Sequence, residues 1–325
     1  MVVGKKVIHN IVKKRKNMIQ ILTIIAPLFL IIFASALLQK FKNIGDEWSK
    51  VLNEFALKIG LPVLIFAALA KTSFSFKEES SLIIANSLFL LVSFILAVIV
   101  GKILHLKKQM FLTFFICFVF GNIAYLGIPV LTSVSGEQIL PKLSLIIAIY
   151  LFWLFTIGIG YLDYSLNKNK KDVTKNMLKN FTQNPLLLAV IFGLLFGSLK
   201  ITIPSIILKS LEMISASVTP IVLVVIGLFI GTSKIGKLSE WFPVLLFSLF
   251  TLIIFPAGFY FSAKFFGLVP SQFMSSIIEA AMPLAITPFA LSDKYNLHKT
   301  FIARSIVLST ILSVVSLPFW ISLIG

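Results

Sequence analysis

Long stretches of apolar residues dominate the chain, and short charged segments separate them. A helix that crosses the hydrocarbon core of a bilayer needs about 20 predominantly apolar residues. Most of the stretches carry no charge, one is interrupted only by Glu279, and one is weaker because it contains Glu54 and Lys58. The pattern therefore predicts an all-α membrane protein with ten transmembrane helices. The predicted spans are Met18–Leu38, Trp48–Ala70, Ser81–Gly101, Met110–Ser135, Leu143–Leu162, Asn180–Leu199, Met213–Ser233, Trp241–Ala263, Phe265–Ser292 and Ser305–Gly325.

A charged segment at residues 163–180 divides the apolar sequence into two halves, residues 18–162 and 181–325. Each half holds five predicted spans. Two tandem units with an odd number of spans must enter the membrane in opposite directions, which is the inverted-repeat plan of many secondary transporters. We therefore predict two inverted five-helix repeats joined by a charged loop.

Matching features in the two halves support this repeat. Glu54 and Pro62 in the second span recur with the same spacing as Glu212 and Pro220 in the seventh. The fourth and ninth spans each contain a proline near the middle. Several features in the same order favour an internal repeat over coincidence.

The basic residues predict an orientation. The chain carries 29 Lys and Arg against 12 Asp and Glu, for a net charge of +17. Because the charges lie in loops between apolar stretches, they favour membrane topology over nucleic-acid binding. Lysines concentrate on the side of the 163–180 segment, which we predict to be cytoplasmic. The basic arm at residues 1–17 conflicts with this orientation, and the conflict favours Met18 as the start of the native protein.

Pro129 and Pro283 are the two mid-span prolines. Proline lacks an amide hydrogen and clashes with the carbonyl four residues earlier. One such proline would indicate a simple kink. Two at equivalent places favour broken helices that cross in mid-membrane, with half-helix N-termini that attract an anion. We therefore predict that the fourth and ninth helices are broken and crossed at these prolines.

Asn122 is a polar amide deep within an uncharged stretch, beside the first of these prolines. Its side chain could bind a substrate carboxylate or could join two helices. Gly121 and Gly127 allow a close backbone approach, either for packing or for a ligand.

Glu279 is the one acidic residue well inside a strong predicted span. An ionisable group in the membrane is a candidate for function, and a proton relay or an ion pair with Lys58 are the two readings. Glu54 and Lys58 are four residues apart, and an ion pair along one helix face is our preferred interpretation of them.

At these residues the sequence resembles the auxin efflux carrier family, whose bacterial members are often called malate or malonate permeases. The resemblance covers nearly the whole chain after Met18. Four fragments carry it: GNIAYLGIPVLTSVSGEQ from Gly121, EAAMPLAITPFALSDKYNLHKTF from Glu279, NPLLLAVIFGLLFG from Asn184 and SVTPIVLVVIGLFIGTS from Ser217.

The resemblance implies a scaffold of spans one, two, six and seven and a transport domain of the other six. It also implies an elevator-type movement of weak organic acids, with Asn122 holding the substrate carboxylate at the crossing. The basic arm departs from the family pattern, and the central loop is shorter than in many plant members. The predicted substrate-binding residues are Asn122, Tyr125, Gly127, Pro129, Met282 and Pro283, with Glu279 as a coupling residue and Pro62 and Pro220 in the opposing scaffold wall.

The predicted function is a secondary transporter for a small organic anion in the cell membrane, with proton or sodium coupling possible and a homodimer as one possible assembly. A sodium-coupled symporter of the bile-acid-carrier type is the alternative. A membrane enzyme is disfavoured because the sequence contains no HExxH motif and no paired intramembrane aspartates. A channel is disfavoured because no filter motif is evident. The single cysteine, Cys117, and three scattered histidines predict no metal site and no resident cofactor.

Overall fold

A computed structural model describes residues 18–41, 45–72, 76–166, 182–233, 238–267, 269 and 273–324. The predicted basic arm at residues 1–17 and most of the predicted charged loop lie outside these residues. Within the described part of the chain, every regular element is helical except for a single β-bridge.

Seven helices are long and apolar enough to cross a membrane, and each lies within or overlaps a predicted span. They are α1 (Met18–Lys40), α2 (Glu47–Ala70), α3 (Phe76–Ile103), α6 (Glu137–Ser165), α8 (Ser205–Thr232), α9 (Phe242–Phe265) and α12 (Lys299–Ile324). The chain is therefore a multi-pass membrane protein.

Five shorter helices occupy the remaining predicted spans. They are α4 (Lys108–Val119), α5 (Ile123–Ser135), α7 (Pro185–Ser198), α10 (Met274–Ala280) and α11 (Thr287–Leu291). α7 begins where the Asn184 side chain accepts hydrogen bonds from the amides of Leu186 and Leu187, at 2.9 and 3.2 Å. This is an ordinary N-terminal cap, which satisfies two amides that have no partner within the helix.

The first helix break lies upstream of Pro129, so the prediction that the fourth span breaks at this proline is wrong. α4 ends at Val119 and α5 already begins at Ile123, and Pro129 lies within α5. The first turn of α5, Ile123–Gly127, is π-helical. Widening a helix by one residue per turn relieves the clash between a proline ring and the carbonyl four residues earlier.

Other prolines follow π-helical turns in the same way. The turn Ala56–Gly60 precedes Pro62 in α2, and Phe250–Ile254 precedes Pro256 in α9. The carbonyl of Leu252, four residues before Pro256, accepts a hydrogen bond from the indole of Trp320 at 2.9 Å. A carbonyl freed by proline is thus satisfied by a neighbouring helix, as an apolar surrounding requires.

Close helix packing unites the two halves of the chain. α8 lies against α1 and α7 lies against α2, and glycines of the second half make both approaches possible. A methyl group added at Gly193 would lie 2.8 Å from Cβ of Leu69, and one added at Gly227 would collide with the carbonyl of Ile32. Small residues at four-residue spacing allow this kind of backbone contact in membrane helices.

The predicted loop at residues 163–180 begins too early. α6 continues through Ser165, and Asp163 is buried within it. The hydroxyl of Tyr295 donates a hydrogen bond to the Asp163 carboxylate at 3.0 Å. The polar character of Asp163 therefore reflects a tertiary contact and not solvent exposure.

Candidate functional site

The two helix breaks, residues 120–122 and 281–286, meet and hydrogen-bond to each other, and we call this meeting point the crossing. The amide of Asn122 donates to the carbonyl of Pro283 at 2.7 Å, and the amide of Ala285 donates to the carbonyl of Phe120 at 2.9 Å. Gly121 and Leu284 thereby form a short antiparallel bridge. Pairing of this kind satisfies backbone groups that would otherwise be costly inside a membrane protein.

The second break is anchored to α12 as well. The amide of Leu284 donates to the hydroxyl of Ser309 at 3.1 Å, and both residues are buried. Ser309 is therefore a residue of this site that sequence reasoning missed. Its only signal was a hydroxyl on an apolar helix, which is common in such helices and does not distinguish one serine from another.

Asn122 lies at the N-terminus of α5 and is 4% exposed. Its backbone carbonyl accepts from the amides of Leu126 and Gly127, at 3.2 and 3.0 Å. Its side-chain Nδ2 is buried and has no hydrogen-bond partner among the described residues. Because a buried donor without a partner is costly, this amide is well suited to a ligand that supplies an acceptor.

In the described structure, α5 is the one helix of substantial length whose N-terminus lies directly at the crossing. α5 starts at Ile123, immediately after the paired residues, whereas α11 starts at Thr287 and is only five residues long. The two helix N-termini that were expected to be equivalent, those of α5 and α11, therefore differ. The partial positive charge at the crossing comes mainly from the N-terminus of α5.

Glu279 is buried beside the crossing and lies against Gly127. A Cβ atom added to Gly127 would lie 2.5 and 2.8 Å from the two carboxyl oxygens of Glu279. Both oxygens are buried and have no hydrogen-bond partner in the described structure. Gly127 thus leaves the space that the carboxyl group occupies.

Lys58 is not the partner of Glu279. Its ammonium group pairs with Glu54 at 2.9 Å, which confirms the preferred interpretation of this pair and rejects the alternative. Among the described residues, Glu279 forms no ion pair at all.

A small cavity of about 20 Å³ adjoins Glu279. Gly121, Tyr150 and Met282 contribute to its walls, and the buried hydroxyl of Tyr150 also lacks a hydrogen-bond partner in the described structure. This volume is enough for one water molecule, and the polar groups around it could hold one. The predicted site residue Met282 therefore belongs to the surroundings of Glu279.

Tyr125 connects the first broken span to α2. Its hydroxyl donates to Oδ1 of Asn53 at 2.7 Å. Sequence reasoning named Tyr125 only for its place near the proline, and it missed Asn53 because that residue lies in the weakest predicted span.

A second, larger cavity of about 790 Å³ opens between α2, α5, α6 and α8, and we call it the vestibule. Ile128 and Thr132 of α5, which flank the buried Pro129, line one wall. Pro220 of α8 also lines this cavity, whereas Pro62 is half-buried and does not line it. Polar side chains are frequent on these walls, and they include Lys71, Thr72, Glu137, Gln138, Glu212 and Ser215.

Comparison with known proteins identifies the family. The sequence model described as membrane transport protein matches residues 20–321, which is nearly the whole chain. This chain belongs to the auxin efflux carrier family of membrane transport proteins. The family consists of transporters, so the expectation that the chain is not an enzyme is confirmed.

Members of this family from three organisms illustrate the range of the similarity. An uncharacterized transporter of Methanocaldococcus jannaschii is 27% identical, over 86% of this chain and 91% of its own. Auxin efflux carrier component 8 of Arabidopsis thaliana is 22% identical, over 84% and 88%. A Rhizobium meliloti protein whose name proposes malonate as its substrate is 20% identical, over 91% and 93%.

Proposed function

We propose that this family member is a secondary transporter that moves a small organic acid anion across the cell membrane. The paired helix breaks, with the unpartnered amide of Asn122 beside the start of α5, carry the proposal. An amide donor and a helix N-terminus at one place offer hydrogen bonds and partial positive charge to a carboxylate. Malonate, which the name of one relative proposes, is a small anion of the right class.

The proposal includes ten spans in two inverted five-helix repeats, residues 18–162 and 181–325. In this topology α4 with α5 forms one span, and α10 with α11 forms another. The alternation is supported by two side-chain clusters at opposite ends of the molecule. The vestibule contains the end of α2 and the start of α8, whereas the opposite cluster contains the Tyr295–Asp163 and Lys108–Ser165 contacts.

The proposal also includes an elevator-type movement, which the division between two groups of helices supports. α1, α2, α7 and α8 form the proposed scaffold, and the remaining helices form the proposed moving domain. The vestibule lies between these two groups at one end of the molecule. At the other end of α8, Phe229 packs edge-on against Phe289 of α11, with ring centres 4.9 Å apart. In alternating access, each of the two states is open on one side of the membrane and closed on the other. The vestibule at one end and the packed rings at the other agree with such a state.

The distribution of lysines supports an external position for the vestibule. The 163–180 segment and its lysines belong to the predicted cytoplasmic face. α6 leads into this segment at one end, and the opposite end of α6 lines the vestibule. The described state would then be open to the outside.

Glu279 is the proposed coupling residue. Each net negative charge that crosses the membrane changes the free energy by about 2.3 kcal/mol per 100 mV, so a negative-inside potential opposes anion uptake. A carboxyl group without a cationic partner in an apolar surrounding is far less costly when it carries a proton. We therefore favour proton coupling, and sodium coupling remains the alternative outcome of the experiment below.

The decisive experiment measures uptake by purified protein in proteoliposomes. Labelled malonate, malate and a monocarboxylate are offered while the potential, the pH gradient and the sodium gradient are varied one at a time. We expect saturable uptake of at least one carboxylate, increased by an acidic exterior. Stimulation by sodium alone would instead support the symporter alternative.

Asn122→Ala provides the site-specific control for this experiment. Loss of a hydrogen bond to a charged group costs about 1.5–3 kcal/mol, so we expect transport to fall by roughly ten- to hundredfold while the protein still reaches the membrane. Unchanged uptake kinetics in this variant would exclude Asn122 from the substrate site. Absence of any carboxylate uptake by the wild-type protein would refute the proposed function.

A further inference from the structure

Lys71 and Glu212 form an ion pair on the wall of the vestibule. Lys71 directly follows the last residue of α2, and Glu212 lies 141 positions later on α8. Both side chains line the cavity and both remain about half exposed, at 42% and 51%. The pair is therefore within reach of any solute that enters the vestibule.

The charge balance of the vestibule is unfavourable for an anion while this pair is closed. Among the described residues that line it, Lys71 is the one cation, and Glu137 and Glu212 are the anions. An entering carboxylate would meet a net negative wall and a lysine that is already neutralised. A transporter for organic anions would gain from a way to release that lysine.

Opening the Lys71–Glu212 ion pair costs little free energy. Exposed ion pairs contribute so weakly to stability that opening one changes an equilibrium by only about one- to fivefold. The incoming group is itself a carboxylate, so the ammonium group exchanges one carboxylate partner for another of the same chemistry. A buried pair would not allow this, since its separated charges would be left without water.

We propose that Lys71 binds the substrate carboxylate in the vestibule and that Glu212 occupies Lys71 when no substrate is present. This inference rests on the proposed function, and it adds a subsite separate from Asn122 and the helix crossing. Glu212 acts as an internal competitor, so it raises the substrate concentration needed for half-maximal transport. The effect should grow with the charge of the substrate, because Glu137 and Glu212 repel a dianion more than a monoanion.

The alternative is a purely structural role, in which the Lys71–Glu212 pair only joins α2 to α8. The two readings differ in what a charge change does. If the pair is structural, breaking it changes the stability of the protein and affects the transport of every substrate equally. If Lys71 binds substrate, breaking the pair changes KM by a factor that depends on the charge of the substrate.

The experiment compares malonate with its monomethyl ester, which shares the skeleton but carries one carboxylate. KM and kcat are measured in proteoliposomes for wild type, Glu212→Gln, Lys71→Gln and Lys71→Arg. We expect Glu212→Gln to lower the KM for malonate by about two- to fivefold and Lys71→Gln to raise it by a similar factor, with little change in kcat. The shifts should be smaller for the ester, and Lys71→Arg should stay close to wild type because it keeps the charge.

Glu54→Gln is the matched control. It breaks the Glu54–Lys58 pair, which is also exposed and also lies on a scaffold helix, but which does not line the vestibule. We expect its KM to equal that of the wild type. Thermal unfolding of each purified variant identifies any loss of folded protein.

The outcomes separate the two proposals. Transport with the same KM in Glu212→Gln, Lys71→Gln and wild type would refute the role of Lys71 and leave the proposed function intact. KM shifts of equal size for malonate and its ester would also refute it. Absence of carboxylate uptake by the wild-type protein would refute the proposed function and this inference with it.

Discussion

Glu279 is the residue whose surroundings are hardest to explain by packing alone. Its carboxyl group is buried, and neither oxygen has a hydrogen-bond or ion-pair partner among the described residues. A structural glutamate would be expected to carry such partners, because desolvating the group without them costs several kcal/mol. A carboxyl group that gains and loses a proton during transport has a reason to remain unpaired.

Glu279→Gln tests this reading. The amide is nearly isosteric but cannot exchange a proton, so we expect uphill uptake driven by a pH gradient to be lost. Exchange of labelled for unlabelled substrate at equal concentrations needs no net proton movement and should continue. Both are measured in the same proteoliposome preparation. Uptake that still responds to the pH gradient would make Glu279 a structural residue.

Gly127 is explained by the same carboxyl group. A Cβ atom at this position would overlap Glu279. Inserting atoms into a packed interior costs about 1–3 kcal/mol of stability. We therefore expect Gly127→Ala to lower the melting temperature of the purified protein and to reduce transport.

The cause can be isolated by a double-mutant cycle. If the clash is with Glu279, Gly127→Ala should cost much less stability in a Glu279→Ala background, where the space is free. Gly258→Ala is the control, since a Cβ atom there meets nothing within 4 Å. Equal costs in both backgrounds would contradict the proposed contact.

At the scale of the helices, the two mid-span prolines have different roles. Pro283 lies within the second break, and its carbonyl accepts the hydrogen bond from Asn122. Pro129 lies within a helix that has already adapted to it through a π-helical turn. Both spans are interrupted, but the proline lies within the break in one span and behind a widened helical turn in the other.

Pro283→Ala and Pro129→Ala should differ for this reason. A proline disfavours a continuous helix by about 3 kcal/mol, and its removal at residue 283 would favour a straight helix that no longer pairs with the first break. We expect transport to fall about tenfold or more in Pro283→Ala and to stay within about twofold of wild type in Pro129→Ala. Initial uptake rates, normalised to reconstituted protein, provide the comparison. Equal effects would show that the breaks do not depend on Pro283.

At the scale of the whole molecule, the vestibule is bounded by helices from both the proposed scaffold and the proposed moving domain. Its volume and exposure should change when the moving domain crosses the membrane. The α1–α8 and α2–α7 contacts are close because they depend on glycines of the second half, and such packing favours a rigid unit of these four helices, the proposed scaffold. Movement is therefore expected between the scaffold and the remaining helices.

Thiol labelling tests both the movement and the orientation. The single native cysteine is buried, so a Cys117→Ser background supports single cysteines at chosen sites. In intact cells, Thr132→Cys in the vestibule should react with a membrane-impermeant reagent, and saturating substrate should change the rate. Lys50→Cys, at the opposite end of α2, should not react. The reverse pattern would overturn the proposed orientation.

The sequence alone was sufficient to predict the seven spans that are long apolar helices, and it pointed to several residues that lie near the crossing. Hydrophobicity and length are local properties, and a helix that must satisfy its own backbone in lipid leaves few alternatives. An asparagine and a glutamate within apolar stretches stand out for the same reason, because the bilayer makes unexplained polarity rare. The family was also evident from short motifs around these residues.

Tertiary structure alone decided how these parts meet. The first break lies upstream of Pro129 because its residues pair with the second break, which is far away in the sequence. The contact of Glu279 with Gly127, the bond from Tyr125 to Asn53 and the Lys71–Glu212 pair likewise join distant segments. Apolar patterns specify which residues enter the membrane, but they are nearly the same on every span. Which helix faces which depends on small gaps and single polar contacts that only the packed structure defines.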